Sequence, residues 1–152
     1  MKIWIDADAC PKVIKEVVFK ASSRAQVPVT LVANSGMFIP ESNLINLIIV
    51  DHGLDVADGY ILKHANKGDL VVTADIPLAA QLVAKHVVAI NPRGSVYNED
   101  NVHDVLATRN LMQDLRGAGM IQGGPPPLGP KDKASFANGF DQELTKLLRA
   151  RR

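Results

Sequence analysis

The sequence has few cysteines, few aromatic residues and no excess of charge of either sign. Its single cysteine, Cys10, excludes an internal disulfide and a cysteine-based zinc site. Aromatic residues make up 5% of the chain, which leaves little for stacking on nucleic-acid bases. The formal net charge is +1, and basic and acidic residues are mixed along the chain. A broad basic surface is therefore not predicted, and any binding of nucleic acid must depend on local clusters.

Long apolar segments are also missing. No window approaches the roughly 18 apolar residues of a membrane span, and the N-terminus lacks the basic and apolar segments of a signal peptide. We therefore expect a soluble, cytoplasmic protein with no membrane partner. The 152 residues, of which 47% are hydrophobic, are enough to bury one core. The chain is predicted to be a single domain, with a core over residues 1–94 and a C-terminal part over residues 95–152 packed on it.

Short strand-like runs alternate with longer helical ones over the first 94 residues. The predicted strands are 3–6, 27–34, 44–51, 69–75 and 87–91. Helices are predicted over 11–26, 54–68 and 76–86. The run 44–51 is almost continuously apolar, which is typical of a strand buried on both faces. This alternation predicts an α/β fold with a mostly parallel sheet of about five strands.

The C-terminal part has a different pattern. Residues 98–117 are predicted to form a helix whose apolar face consists of Val102, Val105, Leu106, Leu111, Met112 and Leu115. Residues 117–133 are rich in Gly and Pro and do not continue a helix. A closing helix follows, with its apolar positions at Phe136, Phe140, Leu144, Leu147 and Leu148. The Gly/Pro-rich segment is either a lid over a site or a plain connection between two helices.

Aspartates follow several of the predicted strands. Asp6 and Asp8 end the first strand, Asp51 ends the third and Asp75 ends the fourth, while Asp55 and Asp58 share one face of the next helix. Because the carboxyl ends of parallel strands meet at one edge of a sheet, these side chains are expected to converge. Their mutual repulsion would raise some pKa values and destabilise the fold unless a cation is present. Mg²⁺ or Mn²⁺ prefers oxygen ligands, so the sequence predicts a site for one of them.

Each of these residues also has a purely structural interpretation. Asp55 is equally suited to be a helix N-cap, and Asp51 to begin the turn Asp-His-Gly. Asp6 and Asp75 are harder to explain structurally, because the end of a buried strand is an unfavourable place for an uncompensated charge. Asn34 and Ser35, which end the second strand, either hydrogen-bond a substrate or shape a turn.

Several longer motifs occur in a fixed order along the chain: IDADACP at the start, DVADGYI at 55–61, GDLVVTADIPLA at 68–79, NPRG at 91–94 and RNLMQDLR at 109–116, followed by GGPPP and KDK. By these motifs the chain resembles the YaiI/YqxD family of bacterial proteins along nearly its whole length. The first 94 residues also resemble, more distantly, the PIN-like nuclease superfamily and its three-layer fold. In that superfamily an aspartate ends the first strand, another lies in a helix, and a T-x-D motif ends the fourth strand. Asp6, Asp58 and Asp75 match these positions.

This resemblance implies metal-dependent hydrolysis of phosphodiesters, with RNA favoured over DNA as the substrate. Asp6, Asp58 and Asp75 would hold Mg²⁺ or Mn²⁺, Asp8 would position or deprotonate water, and Asp51 or Asp8 would replace the superfamily's mid-domain glutamate. Arg93 in NPRG is the first choice for contacting the phosphate. The weaker candidates for that role are Arg109, Arg116, Lys131 and Lys133.

Two other functions remain open. An Asp-x-Asp pair after a first strand also occurs in haloacid-dehalogenase-like phosphatases, where the first aspartate is a nucleophile. That family's threonine or valine is replaced here by Cys10. Alternatively, the chain is a non-catalytic scaffold that binds RNA or protein through its C-terminal helices, and a homo-oligomer is compatible with any of these functions.

Overall fold

The computed structural model describes residues 1–53, 55–123 and 126–151. The strands are β1 (Ile3–Asp6), β2 (Val29–Ala33), β3 (Ile45–Ile49), β4 (Leu70–Val72), β5 (Val88–Ile90) and β6 (Val96–Tyr97). The helices are α1 (Lys12–Ala25), α2 (Val56–His64), α3 (Ile76–Ala84), α4 (Val102–Gly117) and α5 (Pro130–Ala150). A 3₁₀ turn at Ala7–Ala9 joins β1 to the segment before α1.

The strands form one sheet in the order β3-β2-β1-β4-β5-β6. β1 to β5 are parallel, and β6 pairs antiparallel with β5. The predicted α/β class and mostly parallel sheet are therefore confirmed. The sixth strand was not predicted, because two residues are too few to carry a periodic signal.

Helices pack on both faces of the sheet and make three layers. Ile3 and Ile5 of β1 point to one face, where they share a core cluster with residues of α1 and α5. Trp4 points to the other face, where it joins a cluster with residues of α2 and α3. Because successive side chains of a strand alternate between faces, an apolar β1 can be buried from both sides.

β3 corrects one expectation about the sheet. The continuous apolar run 44–51 predicted a strand buried on both faces, but β3 lies at the edge of the sheet and, within the described residues, pairs only with β2. Asn46 is exposed and Ile49 is 58% exposed. The prediction was wrong because the pattern of apolar residues does not say how many neighbours a strand has.

The helical predictions are confirmed, with changes in their ends and packing. α2 ends at His64 rather than near Gly68, and Leu54, where that helix was predicted to begin, lies outside the described residues. On α4 only Val102 is fully buried, and Leu111 and Met112 are 56% and 41% exposed. The apolar face predicted for this helix is therefore only partly covered by the rest of the chain.

α5 begins at Pro130, earlier than predicted, and inserts Phe136, Phe140 and Leu144 into the core. Its backbone lies very close to the turn that follows β5. A Cβ atom added to Gly94 would lie 2.6 Å from the carbonyl of Ser135, and one added to Gly139 would lie 2.9 Å from the carbonyl oxygen of Gly94. Two glycines thus permit the close approach of helix and turn.

No helix within the described residues is long and apolar enough to cross a membrane.

Candidate metal centre at the carboxyl ends of the strands

β1 and β4 are neighbours at the point where the strand order reverses. In open α/β sheets, ligands bind beyond the carboxyl ends of the strands at this point. Asp6 ends β1, and its side chain is buried. Thr73, directly after β4, donates a hydrogen bond of 3.0 Å from its hydroxyl to Oδ2 of Asp6. The same hydroxyl accepts a hydrogen bond of 3.0 Å from the backbone N–H of Asp75. Thr73 therefore links the two strand ends.

Asp75 is the N-cap of α3. Its Oδ1 accepts a hydrogen bond of 2.8 Å from the backbone N–H of Leu78, and Pro77 lies in the first turn. The sequence Asp-Ile-Pro is suited to begin a helix in this way, because proline is tolerated where the backbone N–H has no helical partner. The cap fixes one carboxylate oxygen of Asp75 and leaves Oδ2 for other contacts.

Three carboxylates meet next to this cap. One oxygen from each of Asp55, Asp58 and Asp75 lies within 4.8 Å of the others. Asp55 is at the N-cap position of α2, but it has a left-handed backbone (φ 64°) and its side chain makes no capping hydrogen bond. Its carboxylate contributes to the cluster instead. All three residues belong to the set of aspartates that the sequence predicted to converge, and Asp6, the other member matched to the PIN-like pattern, lies in the lining of the same small cavity.

The charges of this cluster act against one another. The pKa of Asp58 is raised to about 7, mainly by burial and further by a hydrogen bond and charge from Asp75 and by the charges of Asp6 and Asp55. Burial also raises the pKa of Asp6; the hydrogen bond from Thr73 opposes this, and the charges of Asp75 and Asp8 add to it. Such a cluster is stabilised either by a proton or by a bound cation.

The carboxylates surround a small cavity of about 230 Å³. Its lining consists of Asp6, Asp8, Asn34, Gly53, Asp55, Ala57, Asp58 and Asp75. The backbone N–H of Asn34 donates a hydrogen bond of 2.8 Å to Oδ2 of Asp8. The side-chain Oδ1 of Asn34 is buried and has no hydrogen-bond partner in the part of the chain that the structure describes. A cavity lined by carboxylate oxygens and one unsatisfied amide oxygen has the donor set of a hard divalent cation.

Other predicted site residues lie elsewhere. Asp51 and Ser35 are exposed, and neither belongs to the described lining of this cavity. Lys131 and Lys133 are exposed in the first turn of α5, also outside that lining. Arg109 lines a neighbouring groove that shares Asp55, Asp58 and Asp75 with the cavity.

Arg93 lies at the carboxyl edge of the sheet, as predicted, but it contacts other residues than the carboxylate cluster. Its guanidinium forms an ion pair of 3.0 Å with Asp132 and also donates to the carbonyl oxygen of Pro126. With Leu128 and Tyr97 it lines a separate cavity of about 410 Å³. Arg93 thus holds the described end of the Gly/Pro-rich segment against the NPRG turn. Gly124 and Pro125 of that segment lie outside the described residues, and its role as a lid stays a prediction.

Sequence reasoning assigned no role to Thr73, although its T-x-D motif was recognised. The hydroxyl of Thr73 is the group that joins Asp6 to the backbone of Asp75. The signal was the position of a hydroxyl residue directly after an apolar strand and two residues before an aspartate. Such a residue is suited to bond the backbone of the turn that follows.

Comparisons with known proteins agree with the resemblance noted in the sequence. The family model described as "Uncharacterized BCR, YaiI/YqxD family" matches residues 4–146. The chain is 55% identical to a "UPF0178 protein" of Trichlorobacter lovleyi, over 98% of this chain and 97% of the relative. It is 53% identical to a "UPF0178 protein" of Maridesulfovibrio salexigens, over 97% and 98% of the two chains. No solved structure matches. The chain therefore belongs to the YaiI/YqxD family.

Proposed function

We propose that the protein is a metal-dependent nuclease that hydrolyses phosphodiester bonds, with RNA favoured over DNA. The observation that carries this proposal is the convergence of Asp55, Asp58 and Asp75, whose oxygens approach within 4.8 Å at the switch point of the sheet. The resemblance of Asp6, Asp58 and Asp75 to the PIN-like pattern supports the same chemistry.

Asp55, Asp58 and Asp75 are the residues that would hold Mg²⁺ or Mn²⁺, with Oδ1 of Asn34 as a neutral oxygen in the same cavity. Charge supports this choice of ligands, because the raised pKa of Asp58 reflects burial and repulsion that a divalent cation would relieve. When bound, such an ion neutralises phosphate charge and lowers the pKa of a water molecule.

The remaining residues of the cavity have distinct tasks in this proposal. Asp8 is exposed, and the backbone N–H of Asn34 holds one of its oxygens at 2.8 Å. These contacts support the role proposed for Asp8, which is to accept a proton from a water molecule in the cavity. Asp6 is buried and acts through Thr73, which binds the backbone of Asp75. Asp6 is accordingly a positioning residue rather than a base in contact with solvent.

The phosphatase alternative is supported less well by this geometry. It requires Asp6 to attack phosphorus as an ionised nucleophile. One oxygen of Asp6 accepts the hydrogen bond from Thr73, its side chain is buried, and burial raises its pKa. Those features favour a positioned carboxylate over an exposed nucleophile. The scaffold alternative requires no catalytic turnover.

The deciding experiment measures cleavage of short single-stranded and structured RNA and DNA by the purified protein with Mn²⁺ or Mg²⁺. Asp58→Asn and Asp75→Asn are expected to lower turnover by at least a hundredfold, because each removes a charged ligand. Glu16→Gln, which neutralises an exposed carboxylate on α1, is the matched control and should retain full activity. Calorimetric titration with Mn²⁺ tests binding independently of turnover.

Three outcomes separate the candidates. Metal-dependent cleavage that both variants lose supports the nuclease. Mn²⁺ binding without cleavage of any substrate supports the scaffold, and formation of an acid-stable adduct on Asp6 from a phosphate ester supports the phosphatase. Cleavage that survives both substitutions would refute the assignment of the site.

A further inference from the structure

A groove of about 750 Å³ continues from the carboxylate cavity toward α4. Its walls include Asp55, Asp58 and Asp75, which also line the smaller cavity, so the two spaces meet at the cluster. The rest of the lining is mostly apolar and includes Leu62, Pro77, Leu78, Ala80 and Leu106. Arg109 on α4 also belongs to this lining. A long ligand bound at the carboxylates has room to extend in this direction.

Arg109 also lines a further cavity of about 410 Å³ along the same helix. That cavity is bordered by Thr108, Met112 and Arg116 of α4. Arg109 and Arg116 are seven residues apart, which places them on one helical face about 10 Å from each other. The two arginines therefore follow one another along a continuous surface that leads away from the carboxylates.

These arginines differ from two others in the chain. Arg93 is paired with Asp132 and Arg24 with Asp141. Among the residues whose positions are described, neither Arg109 nor Arg116 forms an ion pair, and the guanidinium of Arg109 donates to the neutral side chain of Asn110. Asp104 is the one acidic residue in the described lining of the second cavity, one turn before Thr108. Arg109 and Arg116 thus keep their charge available for an anionic ligand.

We infer that this groove binds the single nucleic-acid strand that flanks the scissile phosphate, with Arg109 and Arg116 contacting successive positions of its sugar-phosphate backbone. The inference rests on the proposed nuclease function and adds a direction for the strand. Guanidinium groups bind phosphate oxygens in pairs of hydrogen bonds. The apolar side chains of Leu106 and Met112 offer contact to base faces, which an unpaired strand exposes and a duplex hides.

The surface of α4 supports this occupant. Met112 is 41% exposed between the two arginines, and the C-terminal half of α4 has no fully buried residue among those described. Arg116 is exposed, and Arg109 is partly exposed. A flexible strand can follow such a surface without displacing any part of the core.

The test is the salt dependence of binding, measured by fluorescence anisotropy with a labelled oligouridylate and the full chain in Ca²⁺. A plot of the logarithm of the association constant against the logarithm of the salt concentration has a negative slope. For a single strand, each phosphate contact contributes about 0.7 to the size of this slope. Arg109→Ala and Arg116→Ala are each expected to reduce this slope by about 0.7 and to weaken binding about tenfold. Arg24→Ala removes the same charge from α1 and is expected to change neither quantity.

Arg109→Lys keeps the charge and should keep the slope, which distinguishes a lost phosphate contact from a disturbed fold. Slopes of Arg109→Ala and Arg116→Ala equal to that of Arg24→Ala would overturn the inference, as would undetectable binding by the unmodified chain. Equal affinity for duplex RNA would overturn the choice of a single strand. Cleavage combined with unchanged slopes would support the nuclease function and refute binding of the strand in the groove. The expected changes in slope without any cleavage would support binding in the groove and refute the nuclease function.

Discussion

The hydroxyl of Thr73 donates a hydrogen bond of 3.0 Å to Oδ2 of the buried Asp6 and at the same time accepts a hydrogen bond from the backbone N–H of Asp75. One side chain thereby joins the end of β1 to the turn after β4. Because Asp75 also caps α3, the position of that helix and the position of a carboxylate in the cluster depend on the same residue.

Replacement of Thr73 is expected to affect both stability and metal binding. Thr73→Val preserves the shape but leaves Asp6 without its donor and the Asp75 N–H without its acceptor. We expect the free energy of unfolding to fall by about 2 kcal/mol and the Mn²⁺ affinity to fall by roughly tenfold or more. Urea denaturation and calorimetry measure the two effects. Thr73→Ser keeps the hydroxyl and should recover most of both, and equal losses in Val and Ser variants would contradict the role of the hydroxyl.

The raised pKa of Asp58 predicts how stability depends on pH in metal-free protein. Its value is about 7 in the folded chain and near 3.8 in the unfolded one, so the folded state binds more protons between these pH values. The free energy of unfolding should therefore decrease as the pH rises from about 4 to about 7. Thermal or urea unfolding across this range, in a chelator, measures the slope.

Asp58→Asn should remove most of this slope and make the metal-free protein more stable at neutral pH, because a repelled charge is lost. Glu16→Gln is the matched control and should leave the slope unchanged. Addition of Mn²⁺ should oppose the slope, since protons and metal compete for the same oxygens. A slope that persists in Asp58→Asn would show that other groups dominate the titration.

The ion pair between Arg93 and Asp132 predicts a structural role for Arg93. Both side chains are about one-third exposed, and Asp132 also accepts the N–H of Gly129 at the start of α5. In a double-mutant cycle of Arg93→Ala and Asp132→Ala, a coupling of about 1 kcal/mol is expected in the free energy of unfolding. Mn²⁺ affinity should stay unchanged in Arg93→Ala. A large loss of Mn²⁺ affinity would contradict the structural role and indicate that Arg93 contributes to the carboxylate site.

Two glycine-to-alanine substitutions are predicted to have opposite effects, because Gly139 contacts the backbone of Gly94 and Gly59 has open space around it. Gly139→Ala would bring a Cβ within 2.9 Å of the Gly94 carbonyl oxygen, and we expect a loss of about 1–3 kcal/mol in the free energy of unfolding. Gly59→Ala in α2, where the added Cβ meets nothing within 4 Å, should increase it by up to about 1 kcal/mol. Urea denaturation of both variants measures the difference. A stabilised Gly139→Ala would mean that helix and turn separate easily.

The sequence alone determined the alternation of strands and helices and the presence of aspartates at strand ends. Both follow from local patterns: apolar periodicity distinguishes strand from helix, and residues after a strand lie at a known edge of a parallel sheet. The class of fold and the general position of the site could therefore be predicted. The edge position of β3 could not, because burial of its faces depends on which strands are its neighbours.

Which carboxylates lie closest together was decided only by the tertiary structure. The sequence favoured Asp6 over Asp55 as a ligand, but the turn before α2 brings Asp55 close to Asp58 and Asp75, whereas Asp6 is buried and hydrogen-bonded by Thr73. The sequence ranked Arg93 above Arg109 for contact with phosphate, yet in the described fold Arg93 is the one of these two that has an acidic partner. Packing sets the distances between residues that are far apart in the chain, and it also decides which partner each charged side chain contacts. No local sequence pattern contains this information.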